Sequence, residues 1–205
     1  MTPTVFQALT GVSDETMERL QCYATLLCQW QARINLVGQA TLVDLWRRHF
    51  WDSAQLLNFF SKKTKVIVDI GSGAGLPGLV LAIMQGGDVH LVEANVRKSI
   101  FLHEVARITE TSVTIHATRA ETLTPWPADV VTARAVASLE RLLPLAVPFL
   151  TRPNATAFFL KGRKIREELL AARKHWCMTV TQRPSLSDPS GIILSVKGVR
   201  KKESD

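Results

Sequence analysis

Asp69-Ile70-Gly71-Ser72-Gly73-Ala74-Gly75-Leu76-Pro77-Gly78 holds the residues best suited to chemistry. Four glycines within eight residues supply positive-φ turns and omit the Cβ atoms that would keep a ligand from the backbone. The five residues before Gly71 are almost wholly apolar and β-branched, so the stretch reads as a buried parallel strand, a hard turn, and a helix opening near Pro77. That is the start of a nucleotide-binding βαβ unit. Asp69 ends the strand, where an anion suits the cationic aminoacyl end of S-adenosylmethionine better than a pyrophosphate. Glu93 follows Gly73 by 20 residues, at the end of the next strand, and is the expected acceptor for ribose hydroxyls. Gly73-x-Gly75-x-x-Gly78 also satisfies the dinucleotide fingerprint, so the loop alone leaves a dehydrogenase reading open.

The elements that must position these residues alternate along the chain. Strands are predicted at 88–94, 112–117, 128–134 and 156–160, and helices at 96–109, 139–149 and 165–175. Two last strands, near 178–181 and 191–198, have no room for a crossover helix and must pair antiparallel. The fold class is α/β: a doubly wound, Rossmann-like methyltransferase sheet, mostly parallel with an antiparallel C-terminal strand. Before it, amphipathic helices are predicted at 13–31 and about 41–60, joined by Arg33-Ile34-Asn35-Leu36-Val37-Gly38. Residues 1–62 then form a helical extension packed on a catalytic domain of 63–200, with 201–205 a disordered tail. Nothing outside the sheet can serve as a second substrate domain, which favours methyl transfer over hydride transfer. Arg119-Ala120-Glu121, after the third strand, stands where such a methyltransferase meets the adenine.

At 205 residues and 46% hydrophobic content the chain can bury a sizeable core. No apolar run approaches a bilayer span, and residues 1–10 do not read as a signal sequence, so a cytoplasmic protein without membrane association is expected. Cys22, Cys28 and Cys177 show no CxxC spacing and the five histidines no ligand spacing, so no metal site is expected. A net charge of +7 makes a polyanion the favoured partner. Arg47, Arg48, Lys161 and Arg163 are the expected RNA contacts, with Lys164 and the pair Arg97-Lys98 as further candidate phosphate contacts. The five tryptophans read as core anchors, and His49 as a packing or RNA-contact residue. A basic RNA-binding module that retains the fold but not catalysis is a further alternative.

Six blocks in order give a sharper reading. They are Arg33-Ile34-Asn35-Leu36-Val37, Arg48-His49-Phe50-Trp51-Asp52-Ser53, the glycine stretch 69–78, Arg119-Ala120-Glu121, Ala133-Arg134-Ala135-Val136-Ala137-Ser138-Leu139 and Leu160-Lys161-Gly162-Arg163. With them the chain resembles the bacterial small-subunit ribosomal RNA guanine-N7 methyltransferases, once called glucose-inhibited division protein B. The resemblance implies methylation of one guanine of 16S ribosomal RNA at N7, with S-adenosylmethionine as cofactor. In the family pattern Gly71 and Leu76 meet the cofactor through the loop backbone, Ala120 and Glu121 hold its adenine end, and Arg134 reaches cofactor or target. A monomer acting on 16S RNA, within the small subunit or free of it, is the expected working form. The fourth strand carries neither an Asn/Asp-Pro-Pro-aromatic run nor a nearby cysteine. Guanine N7 needs neither, because its in-plane lone pair is nucleophilic without loss of a proton.

Overall fold

The computed structural model describes residues 1–202, and residues 203–205 of the predicted tail 201–205 lie outside them. Its sheet runs β3-β2-β1-β4-β5-β7-β6, with β1 Val66–Ile70, β2 Asp88–Val92, β3 Thr114–His116, β4 Val130–Arg134, β5 Thr156–Lys161, β6 Trp176–Pro184 and β7 Ile192–Lys201. The five strands from β3 to β5 pair in parallel, while β7 pairs antiparallel with both β5 and β6. Strand order reverses between β1 and β4, so a crevice opens at the carboxyl ends of these two strands.

Alternation along the strands sends side chains to two cores. Ile67 joins one cluster, while Val66, Val68 and Ile70 join the other. The second cluster is covered by α6 (Leu139–Ala146) and α7 (Ile165–His175). The first is covered by α4 (Gly78–Gln85), α5 (Val96–Ile108) and residues of the N-terminal extension such as Phe6, Leu20, Leu27, Phe50 and Leu56. The extension therefore completes one face of the sheet.

Sequence periodicity locates α2 (Asp14–Gln31), capped by the Ser13 hydroxyl. It does not register α1 (Pro3–Thr10), although Thr2 caps it and Pro3 opens it. The single helix predicted over 41–60 is instead a 3-10 turn (Gln39–Asp44), a π segment (Trp46–Trp51), one α turn (Asp52–Ala54, α3) and a second 3-10 turn (Gln55–Phe59). Large rings account for the irregularity. Trp46 stacks on Phe50 at 4.7 Å between centroids, Trp46 and Trp51 both meet Phe6, and Phe50 meets Tyr23 edge-on. The last two strands are longer than predicted because β6, at the sheet edge, is too exposed to show apolar alternation. Lys201, placed in the tail from the sequence, belongs to β7.

Tyr23 joins the extension to the glycine loop. Its fully buried hydroxyl donates to the carbonyl of Ala74, and burial pushes its phenol pKa upward, keeping it a neutral donor. Tyr23→Phe leaves that carbonyl unpaired, at a cost of about 1 to 3 kcal/mol. Thermal unfolding should show a midpoint lower by roughly 2 to 4 °C per kcal/mol, and an unchanged midpoint would contradict the role given to this contact.

Candidate functional site

The crevice is a cleft of about 870 Å³ reached by the β1–α4 loop, the ends of β4 and β5, the N-terminal segment and the β6–β7 loop. The glycine loop is held from several sides. The amides of Gly71 and Ser72 both donate to Val92 O, at 2.8 and 3.0 Å, and those of Gly75 and Leu76 both donate to Ser72 O. The Gly73 amide donates to Glu93 Oε2 at 2.7 Å, while Glu93 Oε1 accepts from the Asn95 amide, also at 2.7 Å. These five loop amides are therefore spent inside the fold. A phosphate-binding loop presents its amides to the ligand, whereas this one keeps them bonded and has the Glu93 carboxylate beside it in the cleft, an arrangement suited to a cation and to hydroxyl donors. Glu93 retains lone pairs beyond the two it uses, so it can still accept from a ribose.

The four glycines do different work. A Cβ at Gly78 would lie 2.7 Å from Asp69 Oδ2, and one at Gly75 would lie 2.8 Å from the Tyr23 hydroxyl, so both positions serve packing. A Cβ at Gly71 would meet Val136 at 2.6 Å. Gly73, with φ +57°, has only Gly71 O nearby at 3.8 Å, and its missing Cβ opens onto the cleft.

Asp69 is corrected from ligand contact to support. It has no exposure and does not line the cleft, because its side chain points from the strand face that α4 covers. Oδ1 accepts from the Thr132 hydroxyl at 2.7 Å and Oδ2 from the Gly78 amide at 3.2 Å. Burial raises its pKa to about 6 against the opposing pull of those bonds.

Arg134 ends β4 and does line the cleft. Its Nη1 lies 3.0 Å from His49 Nδ1, 3.3 Å from the carbonyl of Arg48 and 3.4 Å from Asp52 Oδ2. Guanidinium only donates, so His49 Nδ1 accepts and its Nε2 carries the proton, donating to Thr41 Oγ1 at 2.7 Å. Burial, with Arg134 and Arg48 adding to it, lowers the His49 pKa to about 3, so the ring is neutral. Asp52 Oδ1 in turn accepts from the hydroxyls of Ser185 and Ser187, and Gln55 Oε1 accepts from the Leu186 amide at 2.8 Å. These contacts anchor the β6–β7 loop at the cleft. Sequence reasoning missed Tyr23, Asp52 and that loop. Asp52 was within reach, since it stands in one of the six blocks, but its partners lie about 130 residues away.

The expected RNA contacts divide. Lys161 lines the cleft with its side chain only 9% exposed, bonded to Ala137 O at 2.6 Å and Glu168 Oε2 at 2.8 Å. It is a structural cation, because both partners hold the segment that follows Arg134, where Ala135 sits at φ +55°. Arg48 pairs with Asp188 at 2.7 Å. Arg47 and Arg163 are exposed and outside the cleft lining. Ala120 and Glu121 form a 3-10 turn after the three-residue edge strand β3 and are also outside that lining.

The family model described as rRNA small subunit methyltransferase G matches residues 16–190. A protein of that name from Rhodospirillum rubrum is 54% identical over 196 residues, covering 96% of this chain and 97% of its own, and one from Paramagnetospirillum magneticum is 52% identical over 199 residues, covering 97% of each. Among solved structures, ribosomal protein L11 methylase from Lactobacillus delbrueckii is similar at TM-score 0.59 and 13% identity, over 74% of this chain and 77% of its own. TYW2 of M. jannaschii in complex with AdoMet is similar at TM-score 0.56 and 19% identity, over 83% and 78%. Both likenesses concern the fold.

Gly73→Val should leave a folded protein that no longer binds the cleft's ligand. The branched side chain fills the open side of the loop and adds about 1 to 3 kcal/mol of strain where φ is positive. Calorimetry with S-adenosylhomocysteine checks this, and wild-type affinity in the folded variant would refute it.

Asp69 and His49 also make opposed contributions to acid stability. The folded value for His49, about 3, lies below its ordinary 6.5, so stability is lost as pH falls through that window. The folded value for Asp69, about 6, lies above its ordinary 3.8, so acidification relieves the cost of its buried charge. Unfolding midpoints measured from pH 7 to pH 4 should fall more steeply for Asp69→Asn than for wild type, and less steeply for His49→Gln. Parallel profiles would contradict both assignments.

Proposed function

We infer that this chain, which belongs to the family of rRNA small subunit methyltransferase G, transfers a methyl group from S-adenosylmethionine to RNA of the small ribosomal subunit. The observation that carries the cofactor side of this reading is the glycine loop, with five amides turned inward and Gly73 open beside the Glu93 carboxylate. Those residues fit a cofactor with a cationic aminoacyl end and a ribose, and a pyrophosphate would find no free donors at the same five positions. The antiparallel β7 between β5 and β6 also departs from the parallel 3-2-1-4-5-6 order of dinucleotide-binding sheets.

The finer roles are part of the proposal. Glu93 accepts from the ribose, the loop backbone from Gly71 to Leu76 lies along the cofactor, and Ala120 with Glu121 approach the adenine end when the cleft is filled. S-adenosylmethionine supplies an electrophilic methyl on sulfur, and the target is N7 of one guanine of 16S RNA in or out of the subunit. A protein monomer is the proposed working form. Support for a positioning mechanism comes from what surrounds Arg134: a neutral His49 and no cysteine on β4. Two of the cysteines are exposed on α2 and the third lies in β6. The enzyme has only to align an existing lone pair with the methyl group and exclude water.

Labelled S-adenosylmethionine given with small subunits that lack the modification, followed by mapping of the labelled base, tests the reading. A single 7-methylguanine in 16S RNA is expected, and label at a different atom would overturn the N7 assignment.

Arg134→Lys retains the charge but loses the guanidinium, whose Nη1 reaches Arg48 O, His49 Nδ1 and Asp52 Oδ2 and whose other N–H groups an ammonium cannot replace in the same plane. Methyl transfer should fall ten-fold or more, about 1.4 kcal/mol in the barrier. Lost affinity for S-adenosylhomocysteine would assign the guanidinium to the cofactor carboxylate, and normal affinity with slow transfer to the guanine. Transfer at the wild-type rate would remove Arg134 from the machinery.

A further inference from the structure

Cations committed to ion pairs are poor phosphate ligands. On one side of the cleft Arg48 is taken by Asp188 and Lys161 by Glu168. On the other lip Arg33, Arg97 and Lys98 take part in no ion pair among the described residues. Arg33 and Arg97, together with Trp30, Ile34 and Ile100, line a separate hollow of about 300 Å³ where the end of α2 meets the start of α5. No acidic residue lines it. Its rim is unusually apolar for a surface, with Ile100 53% exposed and the neighbouring Val96 63% exposed. The hollow adjoins the cleft through the chain itself, since Ile34 is followed by Asn35 and Arg97 by Lys98, and both of those line the cleft.

An indole and two isoleucines sharing a hollow with two guanidinium groups match an unstacked nucleotide, whose base has a π-face for the apolar lining and whose flanking phosphates need cations. We propose that this hollow docks one unpaired nucleotide of the small-subunit RNA near the target guanine, its base against Trp30, Ile34 and Ile100 and its phosphates on Arg33 and Arg97. The proposal rests on the rRNA reading above. Specific recognition of RNA uses splayed bases of loops and bulges in this way. It also adds two unpaired cations beside a cleft in which Arg48, Arg134 and Lys161 are held by internal acids and only Lys98 is unpaired among the described residues.

The test uses the full chain with two variants, Arg33→Ala with Arg97→Ala, and Ile100→Asp. All three side chains are exposed, so the fold and the affinity for S-adenosylhomocysteine should be unchanged. Methylation of unmodified small subunits is followed at several salt concentrations, with filter binding to protein-free 16S RNA alongside. For the double variant a KM for subunits raised ten-fold or more, an unchanged kcat, and a salt slope reduced by about one per lost contact are expected. Ile100→Asp should raise KM as well. Normal KM and slope in the double variant would overturn the proposal. A defect in the double variant with none in Ile100→Asp would overturn the seating of a base. A defect on subunits with normal binding to protein-free RNA would place a ribosomal protein on this face instead. Wild-type protein that methylates no subunit would count against the rRNA reading itself, a result distinct from any of these.

Discussion

A carboxylate without solvent exposure stands one residue before the end of the central strand, and three parts of the molecule converge on it. Thr132 of the neighbouring strand donates to Asp69, the first amide of α4 donates to its other oxygen, and the Ser72 hydroxyl closes back on its carbonyl. A buried charge is costly unless such donors surround it. Here they do, and they fix both ends of the glycine stretch. Gly78 must be glycine because any side chain there would collide with Asp69 and Leu91. Between those fixed ends the loop is drawn sideways onto Val92 and Glu93, which turns its amides inward and leaves Gly73 facing the cleft.

The N-terminal extension is part of the same construction. Tyr23 holds the loop from behind, while His49, Asp52 and the Arg48 carbonyl hold Arg134 at the end of β4. Asp52 then passes the constraint to the β6–β7 loop. The segment after Arg134 is pinned from the opposite side by Lys161 and Glu168, through Ala137 O and the Leu139 amide. A site that works by alignment needs supports of this kind, because its contribution to the rate comes from geometry held before the substrates arrive.

Local pattern carried the sequence reading a long way. β-branched runs, the spacing of glycines and the alternation of strand and helix gave the sheet, the loop and the position of Glu93 at the cleft, because each is encoded within a few residues, whereas Arg134 came only with the family resemblance. What local pattern cannot carry is the partner of a charge. Asp69, Lys161 and Arg48 read as ligand contacts since an acid or base at a strand end is ordinarily free, and only the fold shows them bonded to Thr132, Glu168 and Asp188. The irregular segment 39–59 was misread for a related reason. Its apolar spacing is close to helical, but the rings of Trp46, Phe50 and Trp51 must reach Phe6 and Tyr23, and a regular helix does not satisfy all of them.

The central claim is that the inward-turned glycine loop is the cofactor's seat and that the extension and the β6–β7 loop share its order. Amide hydrogen exchange, with and without S-adenosylhomocysteine, measures this directly. Protection should rise over Gly71–Leu76 and extend to the loop 185–191 that Asp52 anchors. Protection confined to other parts of the sheet, with 71–76 unchanged, would contradict the account.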